Sequence, residues 1–199
     1  MLRPIAVVMT LALMAPMAAT AQGVESDAPG KSGASGQLNI TAEVPKACSL
    51  GDTTNAVITI TAGASGLADP MTGRLSSEAR ANGTFTINNS WCNSASTLKI
   101  TAAPIVAKTA TGAPIFGYSR AVNYKATASG WTPTNAVATT NAASDGLAGT
   151  VSNAQNQPTP RISAIVVSLS DLSTGGGANL KLVADDNYSG SVTLTLAVN

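Results

Sequence analysis

From Leu38 onward the chain is a succession of short runs in which apolar and polar residues alternate. Their period is two, that of a strand with one buried face. Leu38, Ile40, Ala42 and Val44 alternate with Asn39, Thr41 and Glu43, and Pro45 ends the run. Ala56 to Thr61 repeats the pattern, with Val57 and Thr59 on one face and Ile58 and Ile60 on the other. Gly83 to Asn88 turns Phe85 and Ile87 inward and leads to Trp91-Cys92. Thr97 to Ala102 offers Leu98 and Ile100, and Tyr118 to Thr127 offers Val122, Tyr124 and Ala126. Ile162 to Leu169 is the most continuously apolar run and predicts the central strand. Leu180 to Ala184 follows a Gly175-Gly176-Gly177 turn, and Ser191 to Val198 closes the chain with Val192, Leu194, Leu196 and Val198 on one face. β-Branched residues fill these runs, while Gly, Pro, Asn and Asp separate them. No window carries an apolar stripe of helical period, and Leu75 to Ala81 offers at most a short helical turn. The expected fold is all-β: a single antiparallel β-sandwich over residues 37–199, with about seven to nine short strands.

Two stretches break the pattern. Ala103 to Gly117 carries Pro104 and Pro114 within apolar sequence, which suits an edge strand or a packed loop. Ser129 to Pro160 is rich in Ala, Thr, Asn and Gln, and it reads as a long surface excursion with a hairpin near Asp145-Gly146. A loop of that length is either functional or a tolerated insertion.

The alternation begins only at Leu38 because what precedes it has another purpose. Arg3, the apolar run Ile5 to Met17 and the small-x-small Ala19-Thr20-Ala21 predict a signal peptide over residues 1–21, cleaved before Gln22. That run is too short to cross a bilayer, which takes about 20 apolar residues. Residues 22–36 are polar and rich in Gly and Ser, as in a flexible leader. The mature chain is therefore expected beyond a membrane, in the periplasm, at the cell surface or secreted, with no membrane attachment after cleavage. Removing Arg3 leaves ten basic residues (eleven in the whole chain, less one) against ten acidic ones. No basic face marks a nucleic-acid partner. Charged residues make up only 11% of the chain, and a surface so neutral favours association.

Histidine is absent, which removes Ser-His-Asp and Cys-His nucleophilic arrangements and the usual His-bearing metal sites. The ten carboxylates are Glu25, Asp27, Glu43, Asp52, Asp69, Glu78, Asp145, Asp171, Asp185 and Asp186, and their spacing singles out no acid/base pair. No cofactor, metal or catalytic residue is expected, and the chain is read as a non-enzyme. Asp185-Asp186-Asn187 suits a β-turn better than a calcium loop, because the spaced ligand pattern is missing. Cys48 and Cys92 are the only cysteines, and in an exported chain an even pair predicts one disulfide. Trp91, next to Cys92, is expected to pack in the core against that disulfide. Trp131, in the excursion, is a candidate surface-binding residue.

The strongest motif is the pair of chain ends. Gln37-Leu38-Asn39-Ile40-Thr41-Ala42-Glu43-Val44 precedes Ala47-Cys48-Ser49-Leu50, and Asn187-Tyr188-Ser189-Gly190-Ser191-Val192-Thr193-Leu194-Thr195-Leu196 closes the chain. In these ends the chain resembles bacterial fimbrial subunits of the chaperone-usher type, archaic branch, with spore-coat-U-like domains. The resemblance implies an immunoglobulin-like, pilin-like sandwich lacking one strand, filled by a neighbouring subunit's N-terminal segment. Leu38, Ile40, Ala42 and Val44 would then be the inserted side chains of a donor strand. Implied partners are further copies or other fimbrial subunits, a periplasmic chaperone and an usher. The expectation is an exported structural or adhesive surface subunit of a fimbrium. Two alternatives stay open: Leu38 to Val44 as the first strand of a self-contained sandwich, and a monomeric module binding carbohydrate or a small ligand through the excursion. A hydrolase working through two carboxylates is a third.

Overall fold

Extended strands supply all the regular secondary structure among the described residues of this computed structural model, which are 37, 39–51, 55–62, 66–76, 83–147 and 149–199. Two units are distinguished, Met1–Ala42 and Glu43–Asn199. In the first, Gln37 and Asn39 to Ala42 are exposed and lie outside any strand. Residues 1–36, expected to be a signal peptide and leader, and Leu38 fall outside the described residues.

The second unit carries the strands β1 (Cys48–Ser49), β2 (Asn55–Ala62), β3 (Gly83–Cys92), β4 (Ser96–Ala107), β5 (Tyr118–Ser119), β6 (Ala121–Ser129), β7 (Ala136–Thr139), β8 (Val151–Gln157), β9 (Arg161–Thr174), β10 (Lys181–Leu182) and β11 (Tyr188–Val198). Nine of them form one antiparallel sheet in the order β1-β3-β9-β6-β4-β11-β2, with β7 added at β6 and β8 at β4. β5 and β10 form a separate parallel pair. The sheet curls at β4. There β11 pairs along one edge, while the other edge is divided between β8 over Ser96 to Ala102 and β6 at Ile105 and Val106. The predicted central strand is β9, held between β3 and β6.

The curl brings the apolar faces together. Leu98, Ile100 and Ala102 of β4, with Val192, Leu194 and Leu196 of β11, join Val122, Ala126, Ile165 and Val167 in one buried cluster. Removing each large aliphatic side chain from water contributes about 1.5–3 kcal/mol. Tyr124 is buried among them. Its hydroxyl lies 2.6 Å from the Ala103 carbonyl and 3.0 Å from the Ser191 carbonyl, so its proton ties β6 to β4 and β11. Burial pushes its pKa well above the ordinary phenol range.

Several expectations change, among them the inward turn of Phe85, which is 48% exposed while Ile87 is buried. Pro104 lies inside β4, not in a loop, because the pairing with β11 slips there: Pro104 and Ile105 face Gly190 alone. Such a bulge is where a strand tolerates proline. A Cβ on Gly190 would stand 2.9 Å from the Ala103 and Pro104 carbonyl oxygens, so this position needs glycine.

The stretch from Ser129 to Pro160 is built into the sheet instead of looping over the surface. It supplies β7 and β8, and it buries Trp131, Ala136, Ala138 and Ala142. Asp145 and Gly146 form a turn, with Gly146 N–H donating to the Ala143 carbonyl at 3.1 Å, but no strand pair flanks it.

The tryptophans exchange roles. Trp131 is fully buried, its indole N–H donating to Ser96 Oγ at 3.3 Å, so it offers no binding surface. Trp91 is 39% exposed and stands opposite Ile162, itself 83% exposed, across β3 and β9. Adjacent strand residues point to opposite faces, so Cys92 turning inward sends Trp91 outward.

Candidate strand-addition surface

The disulfide forms as expected, joining Cys48 and Cys92 across a separation of 44 residues. The two cysteines are direct partners across β1 and β3. Cys92 and Leu50 are buried, so this short strand is pinned to the core from both ends.

Asn93 fixes the chain just before β1. Its side chain accepts from Ala47 N–H at 2.7 Å and donates to the Pro45 carbonyl at 2.8 Å, and its own N–H donates to the Ala47 carbonyl at 3.1 Å. Lys46 Nζ also donates to the Asn199 carbonyl at 2.6 Å. The sequence reading missed Asn93. The available signal was an amide, able to donate and accept at once, directly after a cysteine expected to pair.

The segment leading into this anchor carries strand periodicity without a strand. Ile40 is 84% and Val44 78% exposed, Ala42 is exposed, and the described residues from Asn39 to Ala47 belong to no strand. Among the described residues the predicted strand is therefore absent, and Ile40 and Val44 stand in water. The final strand, β11, has β4 on one edge and β2 on the other. At the far side of the sheet, the only described residues paired to the outer edge of β3 are those of β1, opposite Trp91 and Cys92.

Other candidate groups serve their own loops. Asp185 is the hub of the last loop. Its Oδ2 accepts from Thr109 N–H at 2.8 Å and Ala110 N–H at 2.6 Å, and its Oδ1 from Asn187 N–H at 2.7 Å and from the Thr109 hydroxyl. The Thr109 hydroxyl and the Ala110 N–H, followed by Asn187 and Thr109 N–H, hold its pKa far below the ordinary carboxylate value. Oxygens so occupied act as the hydrogen-bonding centre of a turn. Among the described residues no three His, Cys, Asp or Glu side chains gather as metal ligands.

Asp185 contributes stability above the ordinary carboxylate pKa of 3.8, and this fades as pH falls toward its depressed folded value. Asp185→Asn therefore lowers the unfolding temperature near neutral pH, and the gap to the parent narrows below pH 3.8. Thermal unfolding across that range checks it.

Asp69 accepts from Met71 and Thr72 N–H, both at 2.9 Å, and these bonds lower its pKa. Asp145 accepts from Leu147 N–H at 2.9 Å. Asp171 pairs with Lys125 at 3.6 Å on the surface, where such a pair adds little. Tyr188 is pushed up to about 12, by burial first and then by the Asp185 charge, with Arg120 opposing. Its hydroxyl donates to the Val183 carbonyl at 2.7 Å.

One open hollow of about 300 Å³ is lined by Asp69, Arg74, Thr174 and Asn179, among others. A second, of about 290 Å³, is lined by Pro114, Ile115, Tyr118 and Val183 among others, and the neighbouring Phe116 is fully exposed. No helix among the described residues is long and apolar enough to cross a membrane. No protein-family model matches the chain, and no curated protein matches it.

Proposed function

We propose that this chain is an exported, non-enzymatic structural subunit of a surface assembly, an immunoglobulin-like sandwich joined to its neighbours by strand addition through residues 38–44. One observation carries this reading: Asn39 to Val44, patterned as part of an amphipathic strand, lie exposed and outside any strand, ahead of a disulfide-anchored strand in sequence. In the lone chain its Ile40 and Val44 gain nothing from their apolar character. Laid along a neighbour's sheet, each would contribute about 1.5–3 kcal/mol, while backbone hydrogen bonds hold the strand and the alternation sets its register. The Asn93 clamp and the disulfide give that strand a fixed point of departure, so pull on the segment passes into the core instead of peeling β1. Low net charge in the mature chain lowers the repulsion between copies.

The test is the mass of the chain from Gln22 to Asn199 by light scattering. Concentrated wild-type protein forms ordered polymers, and Ile40→Asp, which places a charge where an apolar side chain would be buried, leaves monomers. Monomers from both proteins, or polymers from both, would overturn the reading.

A further inference from the structure

The segment proposed to join copies has a near duplicate inside the fold. Leu38-Asn39-Ile40-Thr41-Ala42 and Ile58-Thr59-Ile60-Thr61-Ala62 share Ile, Thr and Ala at the last three positions, and each begins with a branched aliphatic residue. The second copy lies in β2, which pairs antiparallel with β11 from Asn55 opposite Thr195 to Ala62 opposite Tyr188. Among the described residues β11 is the only strand paired with β2, so β2 is an edge strand. In register, Ile58 stands opposite Val192, Ile60 opposite Gly190 and Ala62 opposite Tyr188, all three being buried positions of β11. An exposed chain segment carrying the same alternation can meet the same β11 edge in the same register, because strand pairing reads backbone direction and the period of side chains.

We infer that β2 is an internal stand-in for the N-terminal strand. It caps the β11 edge in a lone chain, and residues 37–44 of a second copy displace it. Resting on the strand-addition reading above, this names the acceptor edge, the partner and the register. Leu38 comes opposite Val192, Ile40 opposite Gly190 and Ala42 opposite Tyr188 of the accepting copy. In a solitary chain β2 keeps the β11 edge covered, so that edge is open only to a strand able to replace it. It also makes assembly an exchange of one strand for a similar one, so joining is limited by the release of β2.

Two measurements on the full chain test it. The first uses a synthetic peptide of residues 37–44 carrying Thr41→Cys, offered to the Ser189→Cys protein. Thr61 is the register partner of Ser189, so position 41 of the peptide takes that place; with the Thr41→Cys sulfur supplied as a pyridyl disulfide, the Ser189→Cys thiolate displaces pyridine-thione and the mixed disulfide traps the peptide. The expected capture exceeds by roughly tenfold or more both that of the same peptide with Ile40→Asp and that by a Ser152→Cys control on exposed β8. Equal capture in all three overturns the inference.

The second measurement locks β2 with the pair Thr61→Cys and Ser189→Cys. The internally bonded protein is expected to lose polymer formation, whereas each single variant keeps it. If the locked protein assembles like wild type, the β11 edge is not the acceptor, and strand addition survives at another edge. If wild type stays monomeric yet the Ser189→Cys protein captures the peptide in register, strand replacement stands and the assembly reading fails. No capture by the Ser189→Cys protein overturns the inference outright.

Discussion

Trp131→Ala lowers the unfolding free energy by about 3–5 kcal/mol, the largest loss expected from any single truncation in this fold. The side chain is fully buried. In the same buried cluster β7 contributes only alanines, Ala136 and Ala138, which are too small to fill such a void. Ser96, fully buried beneath it, also loses the indole N–H at 3.3 Å. Trp131→Phe restores most of the volume but not that donor, and about 1–3 kcal/mol remains lost. Urea unfolding measures both. Fluorescence provides an internal check, since the only other tryptophan, Trp91, is 39% exposed. Removing Trp131 leaves an emission shifted toward that of a solvated indole. A midpoint unchanged by Trp131→Ala would contradict the buried placement.

Removing the disulfide is the second large effect. With the cysteines 44 positions apart, the chain-entropy model gives a loss of about 4 kcal/mol for the double variant Cys48→Ser, Cys92→Ser. β1 is two residues long and pairs only at Cys48 with Cys92 and at Ser49 with Trp91. Without the covalent bond those pairings are too few to hold the strand. The variant therefore unfolds at lower urea, and its amides from Ala47 to Leu50 exchange with solvent faster than those of β11. Equal protection of both segments would show that the Asn93 clamp and Leu50 hold β1 without the bond.

The strands that could be read from sequence are those with one wet face and one dry face. β11 announces itself because Val192, Leu194 and Leu196 alternate with Ser and Thr, and the fold buries those three positions. β7 and β8 were missed because their inward positions are small or polar. In β7 the buried residues are alanines, while Val137 is only partly covered. In β8 most of the sequence Val-Ser-Asn-Ala-Gln-Asn-Gln is polar on both faces. An apolar scale finds no face to bury there. The break at Pro104 was visible, but its accommodation depends on Gly190, 86 residues later (190 less 104), and on a shift of register that no local pattern records.

The candidate site divides in the same way. The disulfide followed from counting cysteines, and the alternation of residues 38–44 was plain. The exposure of Ile40 and Val44 and the β2 cap on β11 depend on which strands find partners, which is decided by the whole sheet. The misplacement of Trp91 has a simpler cause: closeness to Cys92 in sequence does not carry into the core, because one step along a strand reverses the face. That of Trp131 follows from the unseen strands β7 and β8 around it in sequence.

The most direct measurement is a titration of wild-type chain with Ile40→Asp chain, following polymer mass by light scattering. The variant keeps an intact sheet to accept a strand but lacks a strand fit to donate. Each incorporated variant therefore ends growth in one direction, and mean mass falls steadily as its fraction rises. A mass that depends only on the wild-type concentration, with the variant left out as free monomer, would contradict strand addition through residues 38–44.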